Sequence, residues 1–232
     1  MVRLNKFIAS GTALSRRKAD EAIAAGRVTV NGKPAEQGMD ISENDVVTLD
    51  NQTIRQSDYP TTTIMLNKPP GYVVSRDGQG SQTIYDLLPP EYQHLNPVGR
   101  LDKYSSGLLL LTNDGQLAHE LTHPSRQKTK IYEVYLDKPL EPLHQQMISD
   151  YGIMLEDGLS KFSLQKLETS NQEIEEKQLV PSSYFLVSMH EGRNRQIRRT
   201  FESLGYRVTH LHRTHFGEYQ LGTLKPGTTK RL

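Results

Sequence analysis

Hydrophobic positions near the N-terminus first recur at helical spacing and then alternate with polar ones. Leu4, Phe7 and Ile8 lie three or four positions apart, as expected for one face of a short helix. A second helix is predicted after Ser15, a favourable N-cap residue, and Gly26 is expected to end it. The alternation that follows, in RVTVNGKPA and then in DVVTLD, predicts a small sheet with an Asn-Gly hairpin turn.

Beyond a polar segment that contains Pro60, alternating patterns dominate, and helical spacing occurs only in single segments. In the last predicted helix we expect Ile197 and Phe201 to face inward and the arginines to face outward. Strands are predicted within residues 63–75, 130–140, 161–168, 183–192 and 206–221. Helices are predicted within residues 84–90, 116–123, 142–152 and 195–205.

The order of these elements predicts an α+β fold in two domains. We expect a small N-terminal helix–hairpin module, residues 1–59, followed by a larger domain, residues 60–232. The larger domain should contain a mixed, largely antiparallel β-sheet with flanking helices. The NDG sequence at Asp114 indicates a hairpin turn, and the polar residues 169–183 indicate an exposed loop or hairpin tip.

Composition narrows the functional classes. The chain has no cysteine, which excludes disulfides, thiolate nucleophiles and cysteine-ligated zinc. Its histidines show no metal-binding spacing, and neither a Walker A sequence nor a GxGxxG motif is present, so we expect no metal and no cofactor. No apolar run is long enough to span a bilayer, and the N-terminus lacks the core of a signal peptide. We therefore expect a cytoplasmic protein without a membrane partner.

Charge is distributed unevenly, although the formal net charge is only +1. Both ends of the chain are basic, and the segment from residue 36 to residue 58 is acidic. Two basic regions suggest two contact surfaces for a polyanion, because phosphate neutralisation is the main sequence-independent source of nucleic-acid affinity. Ordinary solvated faces are the alternative. The candidate RNA-binding residues are Arg3, Lys6, Arg16, Arg17, Lys18, Arg27, Lys33, Arg193 and Arg195.

The sequence GRLDKYSSGLLLLTNDG places Asp102 just ahead of a buried apolar run. Arg100 and Lys103 flank it, and a partly buried aspartate needs a cationic partner to stay ionised. Asp102 is therefore either half of a structural ion pair or a nucleophile or base in a pocket. No serine–histidine–aspartate order is present. A carboxylate pair for glycoside hydrolysis stays open, because Asp114 and Glu120 are nearby, but the chain has no tryptophan to form a sugar platform.

Several motifs in this chain resemble those of one enzyme family. GRLDKYSSGLLLLTNDG closely resembles the catalytic motif of RNA pseudouridine synthases, and LNKPPGYV resembles their lysine–proline–glycine motif. KIYEVYL and EGRNRQIRR resemble the family's tyrosine and arginine motifs. RLNKFIASGTALSRRKADEAIAAGRVTVNGKPA resembles the alpha-L RNA-binding domain shared with a small-subunit ribosomal protein. Their order is similar to that of the RsuA-type branch, whose members modify single uridines of ribosomal RNA, and the resemblance covers nearly the whole chain.

The resemblance implies a role for individual residues. Asp102 is similar to the family's essential aspartate, and Arg198 matches the arginine that pairs with it and binds substrate. Tyr132 matches the tyrosine that packs against the target base. Arg100 matches the arginine that helps to hold the flipped nucleotide, and Lys68 is expected to shape a turn near the site.

Two positions depart from the family's pattern, and the target RNA is less defined than the chemistry. Tyr104 and Ser105 stand where relatives often carry Asn or Asp and then Thr; we expect the bulkier tyrosine to affect the substrate backbone without removing the chemistry. The implied activity is site-specific isomerisation of uridine to pseudouridine in ribosomal RNA. EDGLSKF and EGRNRQIRR favour the large-subunit RNA. The alternatives are the small-subunit RNA and a non-catalytic RNA-binding or ribosome-assembly factor. We expect ribosomal RNA or assembling particles as partners and a monomeric protein.

Overall fold

The protein is described by a computed structural model in which the chain divides into two compact units. The units comprise Met1–Pro60 and Thr61–Leu232. The described residues are 1–12, 14–55, 60–168 and 183–232, so most of the loop predicted at 169–183 lies outside them. Within these ranges, every helix is too short or too polar to cross a membrane.

The N-terminal unit consists of two short helices packed on small antiparallel sheets. The elements are β1 (Val2–Arg3), α1 (Leu4–Gly11), α2 (Arg16–Ala24), β2 (Val28–Val30), β3 (Lys33–Pro34), β4 (Asp40–Ile41), β5 (Val47–Leu49) and β6 (Gln52–Thr53). The side chain of Ser15 accepts a hydrogen bond from the backbone N–H of Lys18 and so caps α2, as predicted. Ile8, Ile23 and Val28 meet in the core of this unit, which leaves the charged positions on its surface.

The larger unit is built on one extended sheet. Its elements are β7 (Thr63–Lys68), β8 (Asn96–Pro97), β9 (Ser106–Thr112), α3 (Gly115–Thr122), β10 (Lys130–Leu136), α4 (Pro142–Gln146), β11 (Ile153–Leu155), β12 (Gly158–Ser160), β13 (Ser163–Lys166), β14 (Tyr184–Met189), α5 (Gln196–Ser203), β15 (Val208–Phe216), β16 (Tyr219–Gln220) and β17 (Thr229–Arg231). Short 3-10 turns occupy Ile84–Leu87, Pro90–Tyr92 and Pro124–Arg126.

The strands of this sheet run in the order β13-β14-β10-β15-β9-β7-β17. All neighbours along it are antiparallel except β15 and β9, which pair in parallel through His212↔Ser106 and Arg213↔Gly107. The parallel pair is very close at Gly107, which has φ of 101°. A Cβ atom there would lie 2.2 Å from the carbonyl oxygen of Arg213, so only glycine fits. The expected mixed, largely antiparallel sheet is confirmed.

Both faces of the sheet carry apolar side chains, but over different strands. On one face Leu66, Leu109 and Val134 pack against α5 through Phe201. On the other face Met65, Leu108 and Leu110 belong to a smaller cluster that includes Leu121 of α3. Successive residues of β9 therefore face opposite sides of the sheet, so neighbouring residues where the loop joins this strand reach different surfaces.

Two sequence predictions about local structure are wrong. Asp114 is not in a hairpin turn; its carboxylate caps α3 by accepting hydrogen bonds from the N–H groups of Gln116 and Leu117 at 2.8 and 3.2 Å. YVVS does not form a strand, because Val73 makes only an isolated bridge to Thr83. The helix predicted within 142–152 is confirmed; it is α-helical over α4 and then widens into a π-helical turn over residues 147–151.

Candidate active site

Asp102 lies on the loop between β8 and β9, at a cleft of about 1290 Å³. The carbonyl oxygen of Asp102 accepts a hydrogen bond from the N–H of Ser105 at 3.1 Å, which closes a tight turn before β9 begins. The aspartate is half-buried, whereas Ser105 is 1% exposed. The loop therefore presents one carboxylate to the cleft from a rigidly anchored backbone.

Lys68 holds the loop that carries Asp102 in place. Its side chain has no exposed surface, and its Nζ donates to the carbonyl oxygens of Pro69 at 3.0 Å, Lys103 at 3.2 Å and Ser105 at 2.7 Å. Burial lowers the pKa of Lys68 to about 8, and the charge of Asp102 opposes that shift. Lys68 therefore holds the loop by hydrogen bonds and also places a positive charge near the carboxylate of Asp102. Both roles go beyond the turn-shaping role that we expected from the sequence.

Arg198 reaches the same loop from α5. Its Nη1 donates to the carbonyl oxygen of Val208 at 2.8 Å, and its Nη2 donates to the carbonyl oxygen of Tyr104 at 3.3 Å and the hydroxyl of Ser105 at 3.4 Å. Burial lowers the pKa of Arg198, while the charge of Asp102 raises it. The expectation that all arginines of this helix face outward is therefore wrong for Arg198, because the inward-facing side also includes this position and its guanidinium finds backbone acceptors there.

The expected direct pair between Arg198 and Asp102 is not among the ion pairs within 4.0 Å that the described residues make. The two groups interact electrostatically instead, because the charge of Asp102 raises the pKa of Arg198. Arg198 thus holds the loop by its backbone and places a positive charge near the carboxylate without neutralising it in a closed salt bridge.

Tyr132 and an arginine that the sequence analysis missed lie side by side in the cleft. Tyr132 of β10 is 8% exposed and is the register partner of Arg213 on β15. Arg213 is 3% exposed; its Nε donates to the carbonyl oxygen of Leu108 at 2.8 Å, and its Nη2 has no hydrogen-bond partner among the described residues. The sequence did contain a signal for the burial of Arg213. This arginine lies two positions after Leu211, which is buried, in a strand whose residues alternate between the two faces.

A second cation stands next to Arg213. Lys130 lines the cleft, and its Nζ donates to the carbonyl oxygens of Lys128 at 3.2 Å and His190 at 3.1 Å. Burial and the neighbouring charge of Arg213 both lower the pKa of Lys130, while Glu191 opposes them. Two partly desolvated cations that repel each other are stabilised when an anion such as a phosphate lies between them.

The remaining site residues predicted from the sequence differ in their exposure and in their contacts. Arg100 is exposed at the rim of the cleft. Arg193 is half-buried and donates to Asp157 Oδ1 at 3.0 Å and to the carbonyl oxygens of Gly158 and Leu159 at 3.0 and 2.8 Å, so it ties down the β11–β12 hairpin. Arg195 is exposed, and its one ion pair among the described residues is with Glu202, at 3.4 Å.

The basic residues of the N-terminal unit are all exposed. Arg3 pairs with Asp40 at 3.4 Å, and Arg27 pairs with Asp50. Within the part of the chain that the structure describes, none of the others has a carboxylate within 4.0 Å, so their charges are free to meet a polyanion. Among the candidate RNA-binding residues, these free cations are Lys6, Arg16, Arg17, Lys18 and Lys33.

Tyr104 and Ser105, the positions that depart from the family's pattern, have separate roles in the loop. The side chain of Tyr104 is 69% exposed, and only its carbonyl oxygen contacts Arg198. Ser105 supplies the hydroxyl that Arg198 contacts. The substitution at residue 104 therefore changes the rim of the cleft, whereas residue 105 keeps the hydrogen-bonding group.

These features suit a class of enzyme in which one aspartate near buried cations faces a cleft that can bind an anionic polymer. Asp102 lines a roomy cleft and interacts electrostatically with Lys68 and Arg198, and Arg213 offers an unused donor in the cleft. A lone carboxylate with cations nearby is suited to act as a nucleophile or a base.

Comparison with known proteins defines the family. Residues 62–203 match the family model described as RNA pseudouridylate synthase, and residues 2–47 match the S4 domain. The chain belongs to the RNA pseudouridylate synthase family, and the resemblance to its RsuA-type branch is confirmed. A crystal structure of a pseudouridylate synthase superposes with a TM-score of 0.69 at 30% identity, covering 100% of this chain and 96% of that one.

Named relatives are similar over most of the chain. A Bacillus subtilis protein named ribosomal large subunit pseudouridine synthase B is 35% identical, over 100% of this chain and 92% of its own length. A Pseudomonas aeruginosa protein of the same name is 38% identical over 93% of this chain, which spans 55% of that relative. An Aquifex aeolicus protein named uncharacterized RNA pseudouridine synthase is 33% identical, over 100% of this chain and 90% of its length.

Proposed function

We propose that the protein isomerises a specific uridine to pseudouridine in the ribosomal RNA of the large subunit, with Asp102 as the catalytic group. The observation that carries this proposal is the fixed position of Asp102 in the cleft, on a loop tied by Lys68 and Arg198. The choice of the large subunit is supported by the printed names of the Bacillus subtilis and Pseudomonas aeruginosa relatives. Small-subunit RNA is the alternative substrate.

The reaction needs no change in oxidation state. The bond between C1′ of the ribose and N1 of uracil breaks, the base turns, and a bond forms between C1′ and C5. The hydrogen on C5 leaves as a proton, and N1 gains one. Asp102 acts on the ribose either as a nucleophile or as a base, and the charges of Lys68 and Arg198 interact with it electrostatically.

The substrate must leave its stack before Asp102 can reach it. Flipping a base costs a few kcal/mol, so contacts elsewhere on the RNA must offset that cost. We assign Tyr132 to the face of the target base, Arg100 to the flipped nucleotide at the rim, and Arg198 to the loop and substrate. Arg213 and Lys130 are placed to receive a backbone phosphate in the cleft.

The basic residues outside the centre of the cleft would supply the remaining affinity. We assign residues 1–59 to holding RNA and residues 60–232 to the chemistry, in keeping with the free cations on α1 and α2. Arg195 is assigned to RNA at the edge of the cleft, and Arg193 contributes there mainly by holding the hairpin. A ribosomal RNA substrate, free or in an assembling particle, implies a cytoplasmic enzyme, which we propose to be a monomer.

The experiment that tests this function is tritium release from C5-labelled uridine. Two unmodified transcripts, one for each ribosomal subunit, are compared, and Asp102→Asn is the control for catalysis. We expect release from the large-subunit transcript only, and none with Asp102→Asn, which should bind RNA within a few-fold of wild type. Release from the small-subunit transcript alone would reassign the substrate. Binding without release on either transcript and on assembly intermediates would instead establish a non-catalytic assembly factor.

A further inference from the structure

A row of polar side chains crosses four strands on the face of the sheet opposite to the catalytic cleft. Glu133 of β10 is the register partner of His212 on β15, which is in turn the partner of Ser106 on β9. Asn67 of β7 lies on the next strand. Ser106 and His212 share a hydrogen bond of 2.9 Å. These four residues line a cavity of about 900 Å³ that is separate from the cavity at Asp102.

The cavity is a trough because its central strand contributes a small side chain. Ser106 is the residue of β9 that lines it, while histidines of β15 line the cavity on one side and Pro69 lines it at the end of β7. Strands two places apart are separated by roughly 10 Å. A flat ring with van der Waals contacts on both faces needs about 7 Å, so the trough is wide enough for one planar ligand.

A buried acceptor in the trough lacks a partner. Asn67 is 4% exposed, and its Nδ2 donates to the carbonyl oxygen of Leu224 at 2.6 Å. Its Oδ1 has no hydrogen-bond partner among the described residues. A buried acceptor without a donor costs about 1–3 kcal/mol, so a ligand that supplies a hydrogen-bond donor there would recover that energy.

The side walls offer aromatic surfaces. The rings of His210 and His212 stack at 5.8 Å between centroids with an interplanar angle of 17°. Tyr135 meets His210 edge-on at 5.4 Å. Burial lowers the pKa of His212, which favours the neutral imidazole as a stacking surface.

We propose that this trough binds a guanine base. The recognition group is Glu133, whose carboxylate can accept two parallel hydrogen bonds from N1–H and N2–H₂ of guanine. Among the four RNA bases only guanine presents two adjacent N–H donors on one edge. The ring system would stack on the imidazoles, and the unpartnered Oδ1 of Asn67, three strands away from Glu133, is available to a hydroxyl of the attached ribose.

The assignment is independent of the reaction at Asp102, because the residues that carry it lie outside that cleft. The base could belong to a free guanine nucleotide or to an unpaired guanosine of an RNA. Both sources present the same edge and the same ring to the trough.

Isothermal titration calorimetry on the full chain tests the proposal, with GMP, AMP, CMP and UMP as separate titrants. We expect saturable binding of GMP that is about tenfold tighter than that of any other nucleotide, because a carboxylate hydrogen bond is worth more than a neutral one. Equal binding of all four nucleotides, or no binding of GMP, would overturn the assignment.

Two variants and one control locate the site. Glu133→Gln replaces one acceptor by a donor and should weaken GMP binding about tenfold. His210→Ala removes an exposed stacking ring and should weaken it as well; this second variant keeps the test valid if Glu133→Gln fails to fold. The control is His119→Ala, an exposed histidine of α3 outside both cavities, which should bind GMP like the wild type. GMP affinity unchanged by both trough variants would place binding elsewhere and end the proposal.

A competition experiment distinguishes the two sources. A short single-stranded RNA with one guanosine is titrated against bound GMP, and the same RNA with adenosine in its place serves as the control. Displacement by the guanosine RNA alone assigns the trough to an unpaired guanosine of RNA. Absence of displacement assigns it to the free nucleotide. Displacement by both RNAs would contradict recognition of the guanine edge.

Discussion

The Nζ atom of Lys68 donates to the carbonyl oxygen of Ser105 at 2.7 Å, from a side chain with no exposed surface. The same ammonium group also binds the carbonyl oxygen of Lys103, so it holds the loop on the C-terminal side of Asp102 at two points. A catalytic carboxylate on a loop needs such support, because small errors of position reduce the rate strongly. Lys68 is therefore a positioning residue for Asp102.

Replacement of this ammonium group tests the positioning role. Lys68→Met keeps the length and the apolar stem of the side chain but leaves the carbonyl oxygens of the loop without a donor. We expect kcat to fall about 10- to 100-fold, with RNA affinity within a few-fold of wild type. Single-turnover tritium release and a binding titration measure the two effects. The matched control is the exposed Lys225, for which Lys225→Met should keep wild-type kcat; an unchanged kcat for Lys68→Met would exclude the role.

The buried lysine also predicts how stability depends on pH. Burial lowers the pKa of Lys68 from 10.5 to about 8 in the folded chain. Between these two pH values the unfolded chain holds a proton that the folded chain has released, so the free energy of unfolding should rise with pH relative to that of Lys68→Met. Below about pH 8 both states are protonated and the difference should be flat. Urea titrations of both proteins across this range measure it, and a difference that falls with pH would contradict the direction of the shift.

Replacement of Arg198 by lysine should reduce the activity of the enzyme. Its planar fork serves three acceptors at once, on Val208, Tyr104 and Ser105, and an ammonium group cannot match that arrangement. We expect Arg198→Lys to lower kcat about tenfold or more. Arg199→Lys, in which the ion pair with Asp157 can re-form, is the neighbouring control and should be near wild type. Similar rates for the two variants would show that charge alone is required at residue 198.

Arg193 and Arg195 should have different roles, the first in holding a hairpin and the second in binding RNA. Because Arg193 donates to the carbonyl oxygens of Gly158 and Leu159, Arg193→Ala should speed hydrogen exchange in the β11–β12 hairpin. Arg195→Ala breaks one exposed pair with Glu202 and should leave that exchange unchanged while it weakens RNA binding. Equal protection of the hairpin in both variants would remove the structural role of Arg193.

The free cations at the start of α2 should contribute to the salt dependence of RNA binding. Each phosphate contact to a single strand contributes about 0.7 to the slope of log affinity against log salt concentration. The triple variant of Arg16, Arg17 and Lys18 to Gln should therefore lower that slope by about 2. The control replaces the exposed Lys166, Lys225 and Lys230 by Gln. A slope that the control lowers as much as the α2 variant would contradict a specific role for α2.

The sequence predicted most elements because local signals and tertiary packing agree there. The Ser15 cap, the strands β10 and β15, and α5 before Gly205 all follow from short-range patterns. Asp114 was misplaced because Asn-Asp-Gly occurs both in hairpin turns and at helix N-caps, and only the packing of α3 decides between them.

The site was predictable as a set of motifs but not as a set of contacts. Arg198 looked exposed because helical periodicity predicts a buried stripe of apolar residues, and it cannot foresee backbone acceptors at Val208 and Tyr104. Lys68 gave no sign in the sequence that it would be fully buried. Arg213 could have been found from its place in an alternating strand, but its free donor depends on the neighbouring strand β9.

Ser105 and Ser106 follow each other in the chain, yet one hydroxyl meets Arg198 in the catalytic cleft and the other meets His212 in the opposite trough. A strand that alternates at every residue cannot gain or lose one residue here without exchanging the two surfaces. The number of residues between Asp102 and β9 is therefore as constrained as the identities of those residues. Among descendants of this gene, point changes at the rim, such as at Tyr104, should accumulate freely, whereas a single-codon insertion or deletion between Asp102 and Ser106 should be eliminated.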